Sequence, residues 1–160
     1  MRKVTNGLIS NVLPAIQEFH NLFSVKPPIM LSTAVALHED DVLKLFQKYD
    51  KSRILICEKW ADKNPEDNKP IIVFIDRNGN EVDKEAKDAQ GNPLAIGTKY
   101  QMTDENKELF QKDWDELLNI EVDVQSFQVT LDQIKGFDVE PAAMPHLSAF
   151  LKFFVAMPVD

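Results

Sequence analysis

Cysteine is almost missing from this chain of 160 residues. Cys57 stands alone, so no internal disulfide can form, which fits a reducing compartment. Glycine occurs only five times, and no Gly-rich phosphate loop, G-x-S-x-G elbow or C-x-x-C pair is present. The three histidines, His20, His38 and His146, lack the spacing of a helical metal pair such as H-E-x-x-H. Long apolar runs are missing too. Asn11, Pro14, Gln17 and Glu18 break up the stretch after the basic start, and Lys152 interrupts Phe150–Val159. Neither a signal peptide nor the roughly 18 uncharged residues of a membrane span is expected. These absences remove the common templates, so the expectation is no catalytic residue, no metal ligand, no cofactor and no membrane partner.

Clustered basic charge is also lacking. Eighteen Lys and Arg face 26 Asp and Glu, a net charge of −8. Phosphate backbones are bound through grouped cations, so nucleic acid is not an expected partner. A hydrophobic content of 44% with 28% charged residues is that of a folded globule. The length suits one domain over residues 1–160, large enough to bury a core.

Helical periodicity dominates what is present. Ser10 as N-cap predicts a first helix from Ser10 to Phe23, with Pro14 in its first turn and Val12, Ile16, Phe19 and Phe23 buried. No Pro or Gly falls between Ile29 and Asp62. Leu31, Val35, Val42, Leu45, Tyr49, Ile56 and Trp60 form one seam there, widened by Leu37, Phe46, Ile54 and Leu55. His38–Asp41 is either the interior of one long helix or a joint between two. Thr103 caps a third helix, Asp104–Asn119, with Phe110, Trp114, Leu117 and Leu118 on its buried face. Pro141 opens a final helix carrying Leu147, Phe150, Leu151 and Phe154.

Between the second and third helices lies a β-rich segment, 70–102, read as a mobile insertion. Ile71–Ile75 is a strand, Asp76–Asn80 a turn with Asn-Gly at its centre, and Glu81–Asp83 pairs back. A second turn falls at Gln90–Pro93, and Lys99–Met102 adds a strand. Asp76-x-Asn78-x-Asn80 begins like a calcium loop, but Glu81 and Lys87 occupy the positions that need Gly and Glu, so it reads as a hairpin turn. Alternation over Ile120–Gln125 predicts a half-buried strand. The fold class is therefore α+β and mainly helical: a long helix and a helical hairpin carrying the β-rich insertion, with a short strand after the third helix.

Five residues stand out as partner contacts: His38 near the long seam, read as a packed or interface histidine, Tyr49 on that seam, and Ile71, Val73 and Ile75 on the first strand of the insertion. An apolar seam and a strand edge are both surfaces that a protein partner can use. Cys57 reads as a small buried residue and the paired carboxylates as solvated faces. Homo-oligomers are expected if the seam is wider than the other helices can cover.

Val4-Thr5-Asn6-Gly7-Leu8-Ile9-Ser10-Asn11, Glu58-Lys59-Trp60-Ala61-Asp62, Asn78-Gly79-Asn80, Tyr100-Gln101-Met102-Thr103-Asp104-Glu105-Asn106 and Glu116-Leu117-Leu118-Asn119-Ile120-Glu121-Val122 follow one another through the sequence. With these stretches the chain resembles a family of small uncharacterised proteins of tailed bacteriophages. Pro14 and Pro27-Pro28 stand where that family has polar residues. The resemblance carries no catalytic residue across. It implies a phage origin; with the long helix and an exposed β tip, the expectation is a non-enzymatic protein of the virion or host cytoplasm that contacts phage structural proteins as a virion component or assembly factor. A small acidic inhibitor of a host protein, and an enzyme without a known template, are the competing expectations.

Overall fold

The computed structural model describes residues 1–22 and 26–156. Phe23, expected to end the stripe of the first helix, lies outside the described residues. The fold is mainly helical α+β. The chain divides into two compact units, one formed by Met1–Ser52 with Glu116–Asp160 and the other by Arg53–Asp115.

In the first unit, β1 (Arg2–Thr5) leads directly into α1 (Asn6–His20). The helix starts four residues before the sequence suggests, and its cap is Thr5, not Ser10: the Leu8 N–H donates to Thr5 Oγ1 at 3.2 Å. Pro14 is thus interior and denies the Ser10 carbonyl its usual donor, an arrangement that costs about 3 kcal/mol in an ordinary helix. Tertiary anchoring of the first turn offsets it. Buried Asn6 donates its backbone N–H to Ile120 O (2.9 Å) and its side-chain amide to Leu117 O (3.1 Å). Beyond α1, α2 (Ile29–Trp60) runs unbroken through His38–Asp41, so no joint forms there.

After α3 (Asp104–Asn119), β5 (Glu121–Val124) pairs antiparallel with β1, Thr5 opposite Glu121 and Arg2 opposite Val124. Its predicted alternation holds: Val122 and Val124 point inward and Glu121 and Asp123 outward. A two-residue strand, β6 (Val129–Thr130), lies parallel to β7 (Val155–Ala156), which follows α4 (Leu147–Phe154). This last helix starts at Leu147, not Pro141. Pro145 disfavours helical geometry at Met144, and residues 140–143 close a turn instead. Glu18 of α1 then supplies the missing cap, accepting the His146 backbone N–H at 3.0 Å while its other oxygen meets His146 Nδ1 at 2.5 Å.

The core of this unit joins Ile9, Val12 and Ile16 of α1, Leu31, Val35 and Val42 of α2, and Phe150, Phe153 and Phe154 of α4. Phe150 stacks on Phe19 at 5.1 Å and meets Phe154 at 4.7 Å. Arg2 lays its guanidinium over Phe153, 4.5 Å from the ring centroid, and donates to the Phe153 carbonyl. Burial holds Arg2 below its ordinary pKa. Three residues expected to widen the seam, Leu37, Ile54 and Leu55, are 51%, 36% and 66% exposed. They lie off the buried line of α2, since each step along a helix turns the side chain by about 100°.

In the second unit, the end of α2 and the first part of α3 make a helical hairpin. Asp113 accepts from Lys59 Nζ at 2.6 Å and from Trp60 Nε1 at 2.7 Å. Both hydrogen bonds hold its carboxyl below the usual range, Lys59 more than Trp60. Asp62 Oδ1 accepts from the Thr103 N–H and from the Asn106 amide, while Thr103 Oγ1 caps α3 by accepting the Asn106 N–H. The hairpin carries a three-stranded antiparallel sheet ordered β3 (Glu81–Val82), β2 (Ile72–Ile75), β4 (Gly97–Tyr100).

Candidate functional site

A groove of about 860 Å³ opens in the second unit, between the end of α2, the three-stranded sheet and α3. Its apolar wall comes from Phe110 and Trp114, four residues apart on α3, with ring centroids 5.4 Å apart and planes inclined by 31°. Cys57 of α2 and Val73 of β2 are buried behind it. Arg53, Lys99 and Lys107 line the same groove against one carboxylate, Glu81. Lys107 Nζ rests on Asp104 at 2.8 Å and Lys99 Nζ on the Gly79 carbonyl at 3.2 Å. Tyr100 sits at the wall, its hydroxyl pushed above the usual phenol value by burial first, then by Glu58 and Cys57.

The β4 side of the groove has a definite hydrogen-bonding pattern. Val73 stands opposite Lys99 and Ile72 opposite Tyr100, and the Gln101 N–H donates to the Ile71 carbonyl. In an antiparallel ladder the directly bonded pairs alternate with pairs that turn their N–H and C=O groups outward. Residues 99 and 101 therefore bond to β2, whereas Thr98 and Tyr100 turn their backbone groups away from it. Since β4 is the outer strand, those groups lie on an open edge. Thr98 through Met102 line the groove together with Val73 of β2 and Glu81 of β3, so it borders all three strands of the sheet.

The five residues expected as partner contacts are placed very differently. His38 and Tyr49 belong to the first unit and are 1% and 6% exposed. His38 donates from Nε2 to the Phe127 carbonyl at 2.7 Å and meets Phe153 and Phe154 edge-on. Tyr49 packs against Phe46. Both side chains are packed inside, so as placed they offer little surface to a partner. On β2, Val73 is buried at the groove, while Ile71 and Ile75 are half-buried, Ile75 beneath Gly97. The sequence reading missed Arg53, Lys99 and Lys107, and assigned Phe110 and Trp114 to a covered face. The signal for the groove was there: Lys107, Phe110 and Trp114 fall three and four residues apart, on one face of α3.

Two further loops repeat one design. Asp76 Oδ1 accepts the Asn78 and Asn80 N–H groups, and Asp88 Oδ1 accepts those of Gln90 and Asn92. Each turn closes through a glycine in the left-handed region, Gly79 at φ +80° and Gly91 at φ +86°. The start of the calcium-like pattern is thus occupied by turn amides. The backbone bond from Asn80 leads in holding Asp76 below the usual carboxylate range, and the Asn92 side chain leads for Asp88. A depressed folded pKa gives stability that is present above the unfolded value and lost as pH falls through the folded one. Carboxyl carbon NMR should therefore show both groups ionised below about pH 4, where free aspartates titrate. The Asn80 and Asn92 amides should move with them, and titration in the ordinary aspartate range would refute the turn geometry.

No protein-family model matches this chain, and no curated protein or solved structure is similar to it. The groove and the β4 edge are therefore what the molecule itself offers for a functional reading.

Proposed function

We propose that this protein works by binding another protein, as a virion component or assembly factor of a tailed phage. The observation that carries the binding role is the open edge of β4 beside a groove walled by Phe110 and Trp114. An unpaired strand edge is a ready template for another chain, and natural proteins usually blunt such edges or use them. Half-buried aromatic side chains in a groove are the usual anchors of protein interfaces. The phage context rests on the resemblance of the stretches from Val4 to Val122 quoted above.

Quantitative mass spectrometry of purified particles and of assembly intermediates tests this. The protein is expected at a fixed ratio to a capsid or tail protein in at least one of them. Its absence from both, in infected cells that contain it, overturns the proposal.

A further inference from the structure

The edge of β4 carries none of the devices that keep a strand from pairing. No proline stands between Gly97 and Met102, and Lys99 is the one charged residue there. Its ammonium rests on the Gly79 carbonyl, in the turn between β2 and β3, so it lies back over its own sheet and away from the edge. Thr98 and Tyr100 turn their N–H and C=O groups outward. Gln101 bonds to Ile71, so the alternation makes Met102 the next outward position. Three outward residues, two apart and centred on Tyr100, match the same three residues of an identical strand running the other way. Set so, Tyr100 faces its own counterpart, Thr98 faces Met102 and Lys99 faces Gln101. No like charges are opposed, whereas centring the pair on Lys99 would set two lysines against each other.

We propose that β4 pairs with β4 of a second copy of this chain, antiparallel about a two-fold axis at Tyr100. The two three-stranded sheets join into one of six strands, ordered β3-β2-β4-β4-β2-β3. Tyr100 exchanges two backbone hydrogen bonds with its counterpart, and Thr98 exchanges two with Met102 on either side of the axis. The two tyrosines form a cross-strand aromatic pair. Each edge is used up by the other, so the assembly closes at two copies. This inference rests on the protein-binding reading and names the occupant of the edge that reading invokes.

The experiment uses the full chain. Sedimentation velocity should show monomer giving way to dimer, with half-association on the order of 10–100 µM, as fits a small interface. Above that range, amide exchange should slow at Thr98, Tyr100 and Met102 and stay unchanged at Lys99 and Gln101, which already bond to β2. In a Cys57→Ser background, Tyr100→Cys places two thiols at a directly bonded pair, with Cα atoms about 5.5 Å apart and within disulfide reach. Lys99→Cys places them on a diagonal of about 7–8 Å, beyond that reach. Tyr100→Cys should therefore cross-link at least about tenfold faster than Lys99→Cys. Thr98→Pro deletes an outward donor on both copies and no bond to β2, so it should weaken the dimer at least about tenfold. Emission from Trp60 and Trp114, both in this unit, checks that the variant folds. A chain still monomeric well above that concentration overturns the proposal. So do unchanged exchange at the three outward amides, faster cross-linking of Lys99→Cys, or a folded Thr98→Pro that dimerises as tightly as the original. A monomer that is present in particles sinks the pairing and leaves the protein-binding role standing; a dimer absent from particles and assembly intermediates does the reverse.

Discussion

Phe150→Ala should destabilise the first unit by about 4 kcal/mol, the largest effect expected of any single truncation in this core. Phe150 is fully buried and touches aromatic rings on two sides, Phe19 of α1 at 5.1 Å and Phe154 at 4.7 Å. Removing the ring leaves a void bounded by α1 and α4, neither of which can collapse while Glu18 pins the start of α4 through His146. Against the roughly 5–15 kcal/mol that holds an ordinary domain together, such a loss leaves little. Phe150→Leu keeps much of the volume and should cost less than half as much. Phe127→Ala, at a position 36% exposed, serves as the mild comparison. Tryptophan emission would follow the wrong part of the molecule, because Trp60 and Trp114 both lie in the second unit. Amide exchange in α1 and α4 reads the first unit directly, and unchanged protection there in Phe150→Ala would contradict the packing described.

The second large effect concerns His38. It combines two contributions that can be separated by substitution. Its ring fills space against Phe153 and Phe154, and its Nε2–H satisfies the Phe127 carbonyl at 2.7 Å. His38→Ala removes both and should cost about 3 kcal/mol. His38→Leu restores most of the volume but leaves the carbonyl without its donor, so about 1–2 kcal/mol should remain. Urea unfolding of the two variants checks the ordering. If leucine were as damaging as alanine, the hydrogen bond would outweigh the packing; if leucine were neutral, relief of the buried Nδ1, which has no partner, would match the lost bond.

The parts of the fold legible in the sequence are those governed by neighbours in the chain. Asp104–Asn119 could be delimited because Thr103 caps it and Asp104 and Glu105 occupy its first turn. The β2–β3 turn announced itself through Asn78-Gly79, where Gly79 takes positive φ. The start of α1 could not be read in the same way. Asn6 is held by Leu117 and Ile120, more than a hundred residues away, and no local pattern near Ser10 reports that anchor. Strand β1 was hidden for the same reason, since its partner is β5. The candidate site was half legible. Periodicity identified Phe110 and Trp114 as one face of α3, but a period says which side chains align, not whether anything covers them. The open edge of β4 depends on strand order, which a single strand's residues do not encode.

The division of the chain has a consequence for the order of events during synthesis. Arg53–Asp115 is continuous, so its internal contacts lie within one stretch that leaves the ribosome together. The first unit is interrupted by that stretch. Its cation–ring contact joins Arg2 to Phe153, and its strand β1 waits for residues 121–124. Until those emerge, Ile9, Val12, Ile16 and Leu31 have no Phe150, Phe153 or Phe154 to pack against. A nascent chain halted after α3 would thus present a formed middle and an unsatisfied beginning, the state in which a chaperone finds the most apolar surface to hold.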